Sequence, residues 1–226
     1  MQHFPIDVLY EDNHLIIVNK KVGDIVQGDK TADKPLSDFV ADYLKEKYNK
    51  PGNVFVGVAH RLDRPVSGAI IFARTSKALS RLNQMLQKKE IEKKYWAVVK
   101  ENPPKNEDRL IHYLLKNEKN NKASVFSSEV KDGKMAVLTY KILKHSDKYC
   151  LLEIDLETGR HHQIRAQLSA IGCPIRGDLK YGFPRSNPDG GINLHARSLK
   201  FVHPVSKAEI FIEAPLPDDK FWHIFT

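Results

Sequence analysis

The apolar stretches of this chain are short, come in neighbouring pairs and are separated by turn-forming residues, a pattern that restricts the possible fold more than any other feature. VFVGVA at 54–59 and AIIFAR at 69–74 have the length of buried strands and are too short for packed helices. VLYE and HLIIVNK flank the turn-prone EDN within 6–20 and predict an N-terminal hairpin. KKYWAVVK is another strand, and MAVLTYKILKH and YCLLEIDLE predict an antiparallel pair, with an Asp132-Gly133 turn among the strands around them. NLHARSLKFVHP and AEIFIEAP continue the pattern near the end. Strands that follow one another in pairs argue for an α+β fold, a mixed and mainly antiparallel β-sheet core with flanking helices, rather than a doubly wound one.

Four helices are expected beside this core. Leu36, Phe39, Val40, Tyr43 and Leu44 follow Pro35 at helical spacing, ending near Pro51-Gly52. Thr75 or Ser76 caps a second helix striped by Leu79, Leu82, Met85 and Leu86. A third opens near Thr158-Gly159 and closes at Gly172, and a short one covers Lys220 to Ile224. The polar ENPPKNED at 101–108 is the best candidate for a linker or long surface loop. The favoured organisation is one domain over 1–226, built as two lobes sharing one sheet. No dinucleotide or P-loop fingerprint is present.

Two clusters gather chemistry. His60, Arg61, Asp63 and Arg64 crowd HRLDRPVSG, where Pro65 and Gly68 interrupt regular structure between two buried-looking strands; such a rigidly supported loop suits catalysis as well as a plain ion pair. In LETGRHHQIRAQL, Arg160, His161, His162, Gln163 and Arg165 collect where a helix is expected to begin, and a helix start attracts phosphate. Adjacent histidines lack the i, i+4 spacing of helical zinc ligands, so no metal is expected. Lys plus Arg number 36 against 28 Asp plus Glu, a formal charge of +8 that suits a polyanionic partner. Cys150 and Cys173 form no CxxC pair and are expected as reduced, structural thiols. The start has no basic stretch leading into an apolar run, and no segment approaches the ~18 apolar residues of a membrane span, so a cytoplasmic protein without membrane contact is expected.

HRLDRPVSG and TGRHHQIR, in that order, resemble the two signatures of the RluA-type pseudouridine synthases, which act on uridines of ribosomal and transfer RNA. VLYEDNHLIIVNK, KKYWAVV, GCPIRGDLKYG and LHARSLKFVHP resemble further family segments in the family's order, so the likeness spans nearly the whole chain. The resemblance implies Asp63 as the catalytic aspartate, Tyr95 as the active-site tyrosine, Arg165 as the aspartate's ionic partner, Arg61 as the residue that enters the RNA stack and Ile164 as a pocket wall. It places His60, Arg160, His162 and Gln163 on the RNA-binding side. Val66 stands where the family usually has Thr, and Lys20-Lys21 where it usually has Lys-Pro; no separate N-terminal RNA-binding domain is expected.

The implied chemistry fits these residue types. Pseudouridine forms when the bond from ribose to uracil N1 breaks, the base turns while bound, and it rejoins through C5; atoms are conserved and no cofactor is required. An ionised carboxylate can attack, or stabilise the charge of, the sugar or base. An arginine within ~4–6 Å lowers a carboxyl pKa by roughly 1–3 units, and a positioned phenol can move a proton. The uridine of a stem-loop must leave its stack, and a planar guanidinium can fill the gap. The lysines at 88, 89, 93 and 94 and in KNEKNNK add candidates for phosphate contact. Two other classes fit the basic charge: a non-catalytic RNA-binding or ribosome-assembly protein of this fold, and a base-excising glycosylase that releases free uracil. A monomer acting on a ribosomal or transfer RNA stem-loop is the expectation.

Overall fold

The computed structural model describes residues 6–28 and 32–225. In chain order the elements are β1 (Asp7–Glu11), β2 (Leu15–Lys20), α1 (Leu36–Lys47), β3 (Gly57–Val58), β4 (Ser67–Ala73), α2 (Ser76–Gln87), β5 (Ile91–Val99), β6 (Glu107–Asn117), β7 (Lys122–Phe126), β8 (Lys134–His145), β9 (Cys150–Leu156), α3 (Gln163–Ala170), β10 (Leu194–Val202), β11 (Glu209–Glu213) and α4 (Lys220–His223). A 3-10 turn covers Leu179–Tyr181. The mixed sheet with a few helices is the architecture expected from the paired strands.

The chain divides into two compact units. The first comprises Met1–Glu92 and Ala196–Leu216. Its β1 and β2 form the predicted antiparallel hairpin, with Asp12 Oδ1 accepting from the backbone N–H of His14 and Leu15 across the turn. β2 pairs with β4 from Leu15↔Ala73 to Lys20↔Gly68, and the apolar runs LIIV and AIIFA are buried on both faces. Complete burial of an isoleucine is worth roughly 1.5–3 kcal/mol, so Ile16, Ile17, Ile70 and Ile71 anchor this unit. On one face Leu15, Ile17, Ala69 and Ile71 pack with Ala78, Leu82 and Met85 of α2. Thr75 is that helix's cap: its Oγ1 accepts from Ala78 N at 3.1 Å.

VFVGVA is not the buried strand that its composition implies. Only Gly57 and Val58 pair, with Ala73 and Phe72, and Phe55 is exposed. The physical reason is competition for β4: β2 lies along one edge and β10 along the other, which leaves β3 only the end of the strand. At Ile71 the His60 ring replaces a strand partner, Nε2 accepting from the Ile71 N–H at 3.2 Å. Gly68 has φ +114, and a Cβ there would lie 2.3 Å from the Ala196 carbonyl oxygen, so the start of β4 can approach β10 only as glycine.

The second unit comprises Lys93–His195 and Pro217–Thr226. Its strands lie in the order β5-β9-β8-β6-β7 and pair antiparallel throughout, with the expected β8–β9 pair running from Leu138↔Leu156 to His145↔Cys150. ENPPKNED does not separate the units: it is the surface loop between β5 and β6, and β6 starts at Glu107. α3 packs with β6, β7 and β8 through Leu114, Ala123, Ala136 and Ala166. It begins at Gln163, later than expected, because residues 158–162 are tied into a turn: Gln163 Oε1 accepts from Thr158 Oγ1 at 2.7 Å and from Arg160 N at 2.9 Å. Gln163 Nε2 then donates to Val137 O on β8, fixing the turn to the sheet.

Both cysteines are buried free thiols, and burial raises Cys173 to about 11, which keeps it protonated and inert. No helix is long and apolar enough to cross a membrane among the described residues.

Candidate active site

The Asp63 loop lies in the first unit, between β3 and β4. Leu62 and Val66 are buried plugs on either side of it, and Val66 N donates to Asp63 O at 3.0 Å to close the turn. Asp63 is half-buried and Arg61 is exposed. Val66, where the family usually has Thr, is only 2% exposed, so its methyl group avoids burying a hydroxyl that would need a partner. Arg64 turns away, its guanidinium donating to Asp33 Oδ2 at 2.7 Å.

Beneath the loop lies a residue to which the sequence reading assigned no role. Lys20 ends β2 and is fully buried, and its ammonium donates to the carbonyls of Val66 at 2.7 Å, Lys21 at 3.0 Å and Arg64 at 3.1 Å. All three protons of Lys20 are thus used to hold backbone, two of them on the segment that carries Asp63. Burial depresses its pKa to about 8, although the negative charges of Asp24 and Asp63 pull the other way. The sequence offered one clue, a lysine ending a strand whose continuous apolar run leaves neither face for solvent.

This depression makes a prediction. In the unfolded chain Lys20 titrates near 10.5, so between about pH 8 and 10.5 the unfolded state binds more protons and stability rises with pH. Relative to Lys20→Met, the native protein should gain up to roughly 3 kcal/mol over that window. Urea midpoints of the two proteins from pH 7.5 to 10.5 check this; parallel curves would mean that the lysine is not buried as an ammonium.

The remaining candidates lie in the second unit. Tyr95 sits in β5 opposite Ile154 of β9 and is 7% exposed. α3 carries Gln163, Ile164 and Arg165, all buried. Arg165 is gripped by an acid that the sequence reading did not pick out: its Nε donates to Asp178 Oδ2 at 2.7 Å and its Nη2 to Asp178 Oδ1 at 2.9 Å, a two-pronged pair in which both side chains are almost wholly buried. The Tyr181 ring lies 5.1 Å from the same guanidinium. His162 precedes α3 with φ 53, a left-handed conformation uncommon for a residue with a side chain, and its buried ring shares a hydrogen bond of 3.0 Å with Tyr181 Oη. His162 and Gln163 thus lie inside the unit and brace it, whereas Arg160 is exposed and donates through Nε to Met135 O.

Asp178 is presented by a rigid turn. Gly177 has φ +87, and a Cβ there would collide with Asn187 and with the Gly191 carbonyl. Arg176 beside it donates to Asn187 Oδ1 and Asn193 Oδ1, both at 2.7 Å, and lies 3.2 Å from the Phe221 ring centre.

The first unit thus carries a carboxylate on a pinned loop, and the second carries a fixed arginine and a buried phenol. Residues 14–170 match a family model described as RNA pseudouridylate synthase. The chain is 32% identical over 239 residues to tRNA pseudouridine synthase C of Vibrio parahaemolyticus, covering 98% of this chain and 94% of that protein. It is 34% identical over 221 residues to ribosomal large subunit pseudouridine synthase C of Buchnera aphidicola, covering 94% of this chain and 68% of that one. Its fold resembles the solved structure of human RNA pseudouridylate synthase domain containing 4, with a TM-score of 0.79 and 23% identity over 96% of this chain and 90% of that one. A family model matched over more than half the chain and relatives at this identity settle the assignment: the chain belongs to the RNA pseudouridine synthases, isomerases that modify RNA.

Proposed function

We propose that the protein converts uridine in a transfer or ribosomal RNA stem-loop to pseudouridine, with Asp63 as the catalytic carboxylate. The observation that carries this reading is the Asp63 loop itself, a half-buried carboxylate on a turn whose carbonyls are held by the buried Lys20 ammonium. A catalytic group needs such a fixed mount. The carboxylate attacks, or stabilises charge on, the sugar or base as the bond from ribose to N1 breaks; the freed uracil turns, C5 bonds to the ribose as any bond to the carboxylate breaks, and C5 loses its proton to solvent while N1 takes one up.

Arg165 supplies positive charge for the reaction, and Tyr95 stacks on the uracil and moves a proton. Exposed Arg61 fills the gap left by the extruded base, and Ile164 lines the base pocket. His60, bonded to the Ile71 amide, and His162 and Gln163, bonded within their unit, shape the RNA-facing surface; Arg160 is the exposed contact among them. The isomerisation conserves atoms, so it runs without a redox or group-transfer cofactor, and the enzyme acts as a monomer in the cytoplasm. The relatives named for transfer and for ribosomal RNA support both target classes.

The test is tritium release from RNA labelled at uridine C5, using transfer RNA and large-subunit ribosomal RNA from cells lacking this protein. Release with pseudouridine in the digest is expected. Free uracil in its place would identify a glycosylase, and RNA binding without release would identify a non-catalytic binder.

A further inference from the structure

Away from the Asp63 loop, the first unit carries an open groove of about 560 Å³ lined by Arg81, Gln84, Met85, Lys88, Val202 and Lys207, among others. Its walls are one face of α2 and the turn between β10 and β11. Positions 81, 84, 85 and 88 recur at helical spacing, so they point to the same side. The facing turn is preformed: the buried His203 ring accepts from Val205 N at 3.1 Å and Ser206 N at 2.9 Å through Nδ1. Lys207 sits there at φ 64.

The charge arrangement is what a structural role leaves unexplained. Arg81 Nη1 and Lys207 Nζ both donate to the Pro204 carbonyl oxygen, at 3.2 and 3.4 Å, so two cations are held within ~7 Å of one another. Among the described residues neither makes an ion pair, nor does Lys88 farther along the helix face. Like charges gathered around one carbonyl repel each other until an anion joins them. Glu90 at the rim is the one carboxylate in the lining.

We propose that this groove is a second RNA-binding site, which holds the phosphodiester backbone of the substrate through Arg81, Lys88 and Lys207. The inference rests on the reading of the chain as an enzyme acting on RNA. The groove is far larger than one phosphate needs and falls in the ~300–1,000 Å³ range of ligand clefts. Val202 and Val205, both exposed, provide apolar surface for the ribose and base edges that accompany the phosphates. None of the lining residues belongs to the Asp63 loop.

The experiment is a titration of fluorescent transfer RNA from 50 to 300 mM salt with the native protein, its Arg81→Gln/Lys207→Gln double variant and Glu90→Gln. The double variant should bind about tenfold or more weakly at 100 mM salt, and the slope of log affinity against log salt should flatten by about 1–2, since each phosphate contact contributes ~0.7–0.9. Glu90→Gln should bind about twofold more tightly, a gain that misfolding cannot produce. Turnover at saturating RNA should be unchanged in both variants. Native affinity and slope in the double variant overturn the groove alone, as does weakened binding with an unchanged slope and no gain from Glu90→Gln. A native protein that binds no RNA overturns both the groove and the enzyme reading.

Discussion

Asp63→Asn is expected to lose about 10⁴-fold or more in the rate of C5 tritium release, with folding and RNA binding retained. The amide has the shape of the carboxylate, and the loop's main anchors lie elsewhere: the Lys20 ammonium on the carbonyls of Arg64 and Val66, and the buried side chains of Leu62 and Val66. On the proposal that Asp63 is the catalytic carboxylate, what changes is the lone-pair density available to attack or stabilise the reacting carbon. A second consequence reads the same substitution in the ground state. The Asp63 charge is one of the influences that raise the Lys20 pKa, so its removal should move that titration below about 8. Single-turnover release, thermal midpoint and RNA affinity measured on one preparation separate these effects. A variant that turns over within tenfold of the native rate would remove Asp63 from the chemistry.

The contrast between VFVGVA and AIIFAR shows why local pattern is an incomplete guide to burial. Both are six-residue apolar runs, yet AIIFAR supplies a strand buried along its whole length while VFVGVA contributes two paired residues. Nothing within VFVGVA encodes the difference, because it arises from which strands occupy the two edges of β4. Helix stripes fared better. Leu82 and Met85 are buried as the spacing required, and Thr75 caps as its hydroxyl allowed, since those features depend on neighbours three or four residues away. The start of α3 was misplaced for the converse reason: Thr158 and Gly159 look like helix openers, but the Gln163 side chain binds Thr158 and Arg160 and holds the segment as a turn.

The same division runs through the candidate site. Asp63, Tyr95 and Arg165 stand out as candidates because they sit in strings that resemble a family, and Asp63 also because four polar or charged residues crowd a loop between apolar runs. Lys20 and Asp178 do not, since each acts through a partner distant in sequence: Lys20 reaches carbonyls more than forty residues away, and Asp178 reaches a helix thirteen residues back. A lone lysine at a strand end or a lone aspartate after a glycine carries no mark of what it touches.

Asp178→Ala supplies the second large effect, because it leaves the Arg165 guanidinium buried without the carboxylate that both of its prongs engage. Breaking one side of a buried pair costs about 3–5 kcal/mol, which for a chain of this size lowers the thermal midpoint by roughly 6–20 °C. The catalytic loss should exceed what stability explains, since an arginine freed to change rotamer no longer presents its charge in one place. The Arg165→Met/Asp178→Leu double variant separates the two roles. Replacing a buried pair by apolar side chains of similar volume is often neutral for stability, so the double variant should recover most of the lost midpoint. It should recover none of the activity, because the cation itself is gone. Asp178→Asn, which keeps one acceptor for the guanidinium, should lie between Asp178→Ala and the native protein in both respects. If the double variant regained native turnover along with its stability, Arg165 and Asp178 would be a structural brace with no part in the chemistry.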